Sequence, residues 1–380
     1  MTILSAILGA LLILIILGDA FETIVLPRRV TRQVRLARLF FRYTWIPWSA
    51  LVRLISSRKR QETYLSFYGP LSLLLLLVVW ATGLVFGFAL LHWANGSAII
   101  TTGGTPGLST DLYMSGTTFF TLGLGDVTPR TPMAKGLTAV EAGVGFGFLA
   151  LVIGYLPVLN QSFSRREVNI SLLDARAGSP PAATEILRRH SHDHGLEALR
   201  MLLSDWERWS AELLESHLSY PVLAYFRSQH DNQSWLGALT AILDTCALIM
   251  AGVEGACERQ AELTFAIARH TVVDLAIIFR RPPLEPEKDR LPLAQLGYLR
   301  AALAASGLRL REGSAADQKL IELRRMYEPY VYSLSRYLGI SIPAWIPEAS
   351  LTDNWQKSAW GPGSGFQRPD LKEVAKDEHF

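Results

Sequence analysis

The amino-acid sequence predicts an all-α membrane protein that continues into an all-α soluble domain, and three observations lead there. Ahead of residue 160 stand three long apolar stretches, Thr2–Leu26, Tyr68–Trp93 and Met133–Leu159. At about 1.5 Å per residue, each is long enough to cross a hydrocarbon core of roughly 30 Å. Between the second and third lies LYMSGTTFFTLGLGDVTPRTP, Leu112–Pro132, too polar and glycine-rich to cross lipid unshielded. Irregular backbone at membrane depth is tolerated only where protein buries it or where it lines a water-filled path. After Pro181 the apolar residues recur at three- and four-residue spacing, the signature of amphipathic helices. Composition agrees, with 49% hydrophobic and 19% charged residues.

In the first stretch nothing charged precedes the apolar core, and Arg28 and Arg29 follow it. That is the reverse of a cleaved signal peptide and describes a retained helix with its N-terminus outside. Asp19 and Glu22 share one face near its cytoplasmic end, where they either pair with nearby arginines or serve a function. From Pro27 to Arg60 there are ten Lys and Arg and no acid, whereas Arg130 is the one basic residue between Ala94 and Thr131. The positive-inside rule therefore places the first segment in the cytoplasm and the second outside, in a cell (inner) membrane protein. The basic segment alternates Val34, Leu36, Leu39, Phe40 and Trp45 with Arg32, Arg35, Arg38 and Arg42. Such a helix is expected in the inner headgroup layer, aromatics toward the membrane and arginines toward anionic lipid. Its tether between two spans argues against a nucleic-acid role.

Asp111–Phe120 makes too few helical turns to span and suits a re-entrant helix, whose C-terminal end would favour a cation at the membrane centre. The chain would then return outward through Thr121, Leu122, Gly123, Leu124, Gly125 and Asp126. Glycines in alternate positions permit backbone angles closed to other residues, so successive carbonyls can point one way. A ring of such carbonyls replaces the hydration shell of a cation, and Asp126 adds negative charge at the mouth.

This arrangement of helix, short helix, T-x-G-x-G-D and helix resembles the pore module of the potassium channel superfamily. Thr121, Gly123, Gly125 and Asp126 match the usual TVGYGD signature, while Leu122 replaces Val and Leu124 replaces Tyr. One N-terminal span, a basic segment and a single pore module are similar to bacterial single-pore potassium channel homologues. The resemblance covers residues 60 to 166 and, more loosely, the first span. It implies a passive cation channel and no enzyme, with permeant potassium ions in the filter and no other cofactor. In the family the replaced tyrosine packs behind the filter and bonds to pore-helix aromatics. Here Tyr113 stands where such aromatics often are, and Leu124 marks where selectivity would be lost, giving a non-selective cation channel as the alternative. One chain supplies one filter segment and has no internal repeat, so four copies in a closed homotetramer are expected. A further alternative is a membrane-anchored receptor or enzyme that uses the pore module only to tetramerise.

The third stretch contains Glu141, Gly143, Gly145, Gly147, Gly154 and Pro157. Gly143 and Gly147 either allow close packing on the second span or loosen the helix. Gly145, about 20 Å along the helix from Pro132, is a hinge candidate. Pro157 removes a hydrogen bond to the Ile153 carbonyl, and Leu151, Tyr155 and Leu159 at helical spacing are candidates for a hydrophobic gate. Glu141 is a candidate for filter support.

The soluble part is expected to form helices over Gly195–His217, Ser234–Glu254, Glu258–Arg280, Pro292–Ala305 and Ala315–Tyr337, with breaks at Pro221, Pro282–Pro283, Gly313 and Pro343. Asp244 in the middle of an otherwise apolar helix argues for a buried core helix over a fourth span. No GxGxxG follows a strand, so no nucleotide-binding module is visible, and an unknown cytosolic ligand is left as the regulator. Cys246 and Cys257 have no metal-like spacing. His190, His192 and His194 alternate as zinc or nickel ligands do, or else lie in a solvated linker. The division that results is an N-terminal transmembrane helix (1–26), a basic amphipathic segment (27–66) and a pore module (67–166). A linker (167–181), a helical cytosolic domain (182–348) and a disordered tail (349–380) follow.

Overall fold

The computed structural model describes residues 2–26, 35–101, 105–192, 195–230, 232–253 and 257–347. Helices dominate, as an all-α membrane protein requires. In chain order they are α1 (Thr2–Ala20, continued by a π turn at Phe21–Val25), α2 (Leu36–Arg53), α3 (Arg58–Ala94), α4 (Leu108–Phe119) and α5 (Pro132–Ala177). Then come α6 (Ala183–Arg189), α7 (Gly195–Ser219), a 3₁₀ turn (Pro221–Tyr225), α8 (Trp235–Gly252), α9 (Glu258–Ile278), α10 (Leu293–Ala305), α11 (Ser314–Arg325) and α12 (Glu328–Leu338). Two three-residue strands, β1 (Ile99–Thr101) and β2 (Val127–Pro129), pair antiparallel with Ile99 opposite Pro129.

The chain folds as two compact units. The first comprises 1–163 together with Leu218–Phe226, and the second 164–217 with 227–380. In the first unit α1 lies along α3, and small residues bring their backbones together. A Cβ on Gly9 would sit 2.7 Å from the Gly87 carbonyl oxygen, one on Gly83 2.3 Å from Ile16, and one on Gly87 2.7 Å from Ile13. Gly83 and Gly87 thus form a small-xxx-small contact surface. Asp19 is buried and accepts hydrogen bonds from the Ala37 backbone N–H (3.0 Å) and from Trp80 Nε1 (3.0 Å). A carboxylate from one helix thereby caps the start of another, where unsatisfied N–H groups favour negative charge. Glu22 pairs with Arg35 at 3.5 Å.

Several sequence expectations change. Trp45 is fully buried against Tyr68 and Tyr225, 4.7 and 5.1 Å between ring centroids, rather than facing lipid, because α2 packs on α3 through that face. Val34 and Arg32 lie outside the described residues, as does the tail 349–380. The short helix starts at Leu108, three residues before Asp111. The stretch expected as a linker, 167–181, is helical through Ala177 because α5 does not stop at the expected membrane boundary. The helix expected over Ala315–Tyr337 is two, since Pro329 in the first turn of α12 lacks the N–H that a continuous helix would need.

In the second unit α8 is the central helix, and its side chains from Trp235 to Ile249 are all buried. Helices enclose it on every side, so an apolar helix long enough to cross a membrane serves here as a core. Asp244 is satisfied within that core. Arg290 donates to it at 2.6 Å and to Glu328 at 2.9 Å, and the Tyr327 hydroxyl also donates to Asp244.

Candidate functional site

The candidate site is built where α3, α4 and α5 meet. The amides after α4 turn back over its last carbonyls: Thr121 N–H bonds Thr118 O (3.0 Å) and Leu122 N–H bonds Thr117 O (2.8 Å). From there the backbone alternates. Thr121, Gly123 and Gly125 have φ of 57°, 54° and 80°, while Leu122 and Leu124 between them stay on the ordinary side. Alternation of positive and negative φ departs from both helix and strand, and glycine is the residue that adopts the positive side without steric cost. Glycine at 123 and 125 serves this conformation and not tight packing, since a Cβ on either would meet nothing within 4 Å.

Two contacts hold this turn at its ends. The Tyr113 hydroxyl, from α4, donates to Asp126 Oδ2 at 2.9 Å. Beyond Asp126, strand β2 pairs with β1, and Arg130 N–H bonds Ala98 O at 2.8 Å, so the outgoing chain is tied to the α3–α4 connection. Behind α4 stands Glu141, fully buried on α5, with its Oε1 within hydrogen-bond reach of the Ser115 hydroxyl. Ser115 donates to Val85 O at 2.7 Å, linking α4 to α3.

Gly145 is where α5 crosses the end of α4. A Cβ there would lie 2.1 Å from Phe119 O, so only glycine admits the approach. Gly143, Gly147 and Gly154 would meet nothing within 4 Å, and close packing on α3 is not their role. Leu151 is exposed, whereas Tyr155 and Leu159 are buried among Leu73, Val222 and Leu223. Four residues advance a helix by about 40° and eight by about 80°. The spacing that groups Leu151 with Leu159 therefore carries Tyr155 and Leu159 off the open face. Pro157 lies within α5 without ending it.

What buries Tyr155 and Leu159 is chain from much later in the sequence. After His217 the chain contributes Leu218–Phe226 to the first unit, then leaves it at Arg227. Tyr220 meets Tyr155 (5.6 Å between centroids), Tyr225 lies against Trp45 and Tyr68 (5.1 and 5.2 Å), and Phe226 rests on the bare backbone of Gly69. In the sequence Pro221 reads only as a break between helices. The aromatic run Tyr220–Phe226 around it was the available signal.

The histidines are not brought together as ligands among the described residues, where no group of three or more His, Cys, Asp or Glu is placed to hold a metal ion. His190 turns inward, its Nδ1 2.7 Å from Ile186 O, and burial lowers its basicity. His194 lies outside the described residues.

Residues 74–160 match the family model described as ion channel. This part of the chain is an ion-channel domain of the pore-loop type. The chain is also similar to the uncharacterized membrane protein YdjJ of Bacillus subtilis (strain 168), 25% identical over 242 residues that cover 61% of this chain and 70% of that protein. No solved structure matches. The ion-channel domain begins within α3 and ends within α5, so it contains α4, the alternating backbone and Glu141 while leaving out α1, α2 and the second unit.

Proposed function

We propose that four copies of this chain form a cation channel, most simply a potassium channel, whose filter is Thr121–Asp126 and whose conduction is gated by its helical second unit. The reading is carried by the alternating backbone at Thr121, Gly123 and Gly125 directly after a short helix, in a chain whose ion-channel domain contains both. It is supported by the bareness of that face in a single copy. Leu122, Leu124, Phe146, Leu149 and Ile153 are large apolar side chains exposed in the protomer, as residues must be that meet neighbouring copies around a shared axis or lipid. In the oriented membrane the N-terminus and filter mouth lie outside, and the second unit faces the cytoplasm beside anionic inner-leaflet lipid.

Gating enters through Leu218–Phe226. This segment is flanked on both sides by chain of the second unit yet packs on Tyr155 and Leu159 of α5. A ligand or load that shifts the second unit would pull on the helix that carries Leu151. Leu124 favours a second reading, a non-selective pore, because a leucine offers no hydroxyl to brace the filter from behind.

Purified full-length protein in liposomes, assayed for potassium, sodium and an impermeant organic cation, tests this. Potassium flux well above sodium flux is expected, with the impermeant cation excluded. Equal potassium and sodium flux removes selectivity. No flux under any condition, with protein inserted and tetramerisation measured, sinks the channel and leaves a receptor or enzyme.

A further inference from the structure

Around Glu141 the described residues place a polar cluster for which a pore scaffold alone has no use. His92, at the end of α3, Asp111, in the first turn of α4, and Glu141, on α5, are each at most 1% exposed. His92 Nε2 and Glu141 Oε2 approach to 3.4 Å without an aligned hydrogen bond. Asp111 Oδ1 likewise has no partner, although its Oδ2 accepts from Ser97 at 2.6 Å. Three buried polar atoms, two carboxylate oxygens and one imidazole nitrogen, are thus left without hydrogen bonds in one place. Buried polar atoms normally are not.

Ser115 has a single hydroxyl proton, yet its oxygen lies in bonding distance of both Val85 O and Glu141 Oε1. With Glu141 ionised, only one of those bonds exists at a time. With Glu141 protonated, its O–H donates to Ser115, which donates to Val85 O, and both exist together. Charge points the same way. Two carboxylates and an imidazolium leave a net negative charge among apolar helices, which is costly without a partner, and one added proton neutralises it. Among the described residues no other element supplies that partner. On α1 the acids Asp19 and Glu22 lie far off, Asp19 bonding Trp80, about 18 Å along α3 from His92. The charged residues near the β1–β2 ribbon and the start of α5, namely Asp126, Arg130 and Lys135, are exposed.

We propose that His92, Asp111 and Glu141 form a buried proton-binding site that seats α4, through Ser115, against α3 and α5. Proton binding completes the Glu141–Ser115–Val85 chain and fixes the helix that precedes the filter. Proton loss breaks one of its links. His92 and Glu141 are positioning residues in this scheme, since neither touches the conducted ion. The proposal deepens the channel reading, and only its flux consequence depends on that reading.

The test uses full-length protein in liposomes with the same pH on both sides. Potassium flux should rise as pH falls from about 8 to about 5, by at most about tenfold per pH unit, the limit for one proton. Glu141→Gln, whose amide can donate to Ser115 at any pH, should keep the acid-side flux throughout. His92→Gln should move the midpoint by about one pH unit or more. A flat or inverted wild-type profile, or a Glu141→Gln variant with the wild-type profile, overturns the site. Infrared difference spectra of the same samples between about pH 5 and about pH 8 supply a readout independent of conduction. A protonated-carboxyl band that shifts in heavy water and disappears in Glu141→Gln or Asp111→Asn is expected. Its absence from the wild type overturns the site whether or not ions flow, and its presence without flux sinks the channel and keeps the site.

Discussion

At one end of the membrane unit α3, α4 and α5 meet through Ser115, Glu141, His92 and Asp111. At the other end α3 and α5 meet through Tyr68, Tyr155 and the inserted Tyr220–Phe226. One end of the bundle is joined by directional polar bonds and the other by aromatic packing. Hydrogen bonds are directional, so at the polar end Ser115 fixes where α4 stands against α3 and α5. Aromatic faces slide and tilt at small energetic cost, and the base is built of such faces, with interplanar angles from 24° to 66° around Tyr225 and Tyr68. Leu218–Phe226, the one part of the base borrowed from late in the chain, sits in the adjustable material.

The largest effect is expected at Gly145. Gly145→Ala drives a methyl into Phe119 O, and should cost upward of about 3 kcal/mol, the upper range for overpacking. Flux should vanish while tetramers still form, as cross-linking and flux assays would show. At the opposite end Tyr225→Ala removes a buried ring from the base and should cost about 3 kcal/mol. Its flux should change several-fold with potassium-to-sodium selectivity unaltered, and a change in selectivity would show that the two ends are not separable.

The third prediction concerns His217, which leads into the inserted segment. Burial, with the Arg166 guanidinium beside it, holds its imidazole down to about 3 from an ordinary 6.5. Between those values the unfolded chain binds a proton that the folded one refuses, so stability falls as pH drops below about 6.5. The slope should approach about 1.4 kcal/mol per pH unit. Thermal unfolding across that range checks it, and His217→Gln should flatten the slope. The smallest effect is expected from Tyr113→Phe, which deletes the bond to Asp126 and nothing else. Solvent competes for this exposed bond, so its loss should lower potassium-to-sodium selectivity modestly in paired flux measurements and leave stability nearly unchanged.

Much of this was legible from residues alone where the physics is local. Apolar length marked the spans, and Asp244 in the middle of α8 marked a core helix because a soluble core can satisfy a carboxylate that lipid cannot. Gly123 and Gly125 marked a backbone that other residues resist. Glu141 is legible as an acid within the third apolar stretch, whereas His92, near the end of the second, has no partner in view along the sequence. Small-xxx-small spacing occurs on both α3 and α5, yet only Gly83 and Gly87 are met by another helix within the chain. Spacing shows that a surface is smooth, not what lies on it.

Sequence by itself determined a membrane protein with three apolar spans, a glycine-bearing loop between the last two and a helical soluble part. Hydrophobic period and backbone permissiveness are properties of neighbouring residues. Tertiary structure alone decided that Asp19 caps α2, that Tyr155 and Leu159 turn inward under Tyr220–Phe226, and that His92, Asp111 and Glu141 converge. Each of those depends on contacts between residues far apart in the chain, and nothing in the local pattern of either partner encodes the distance between them.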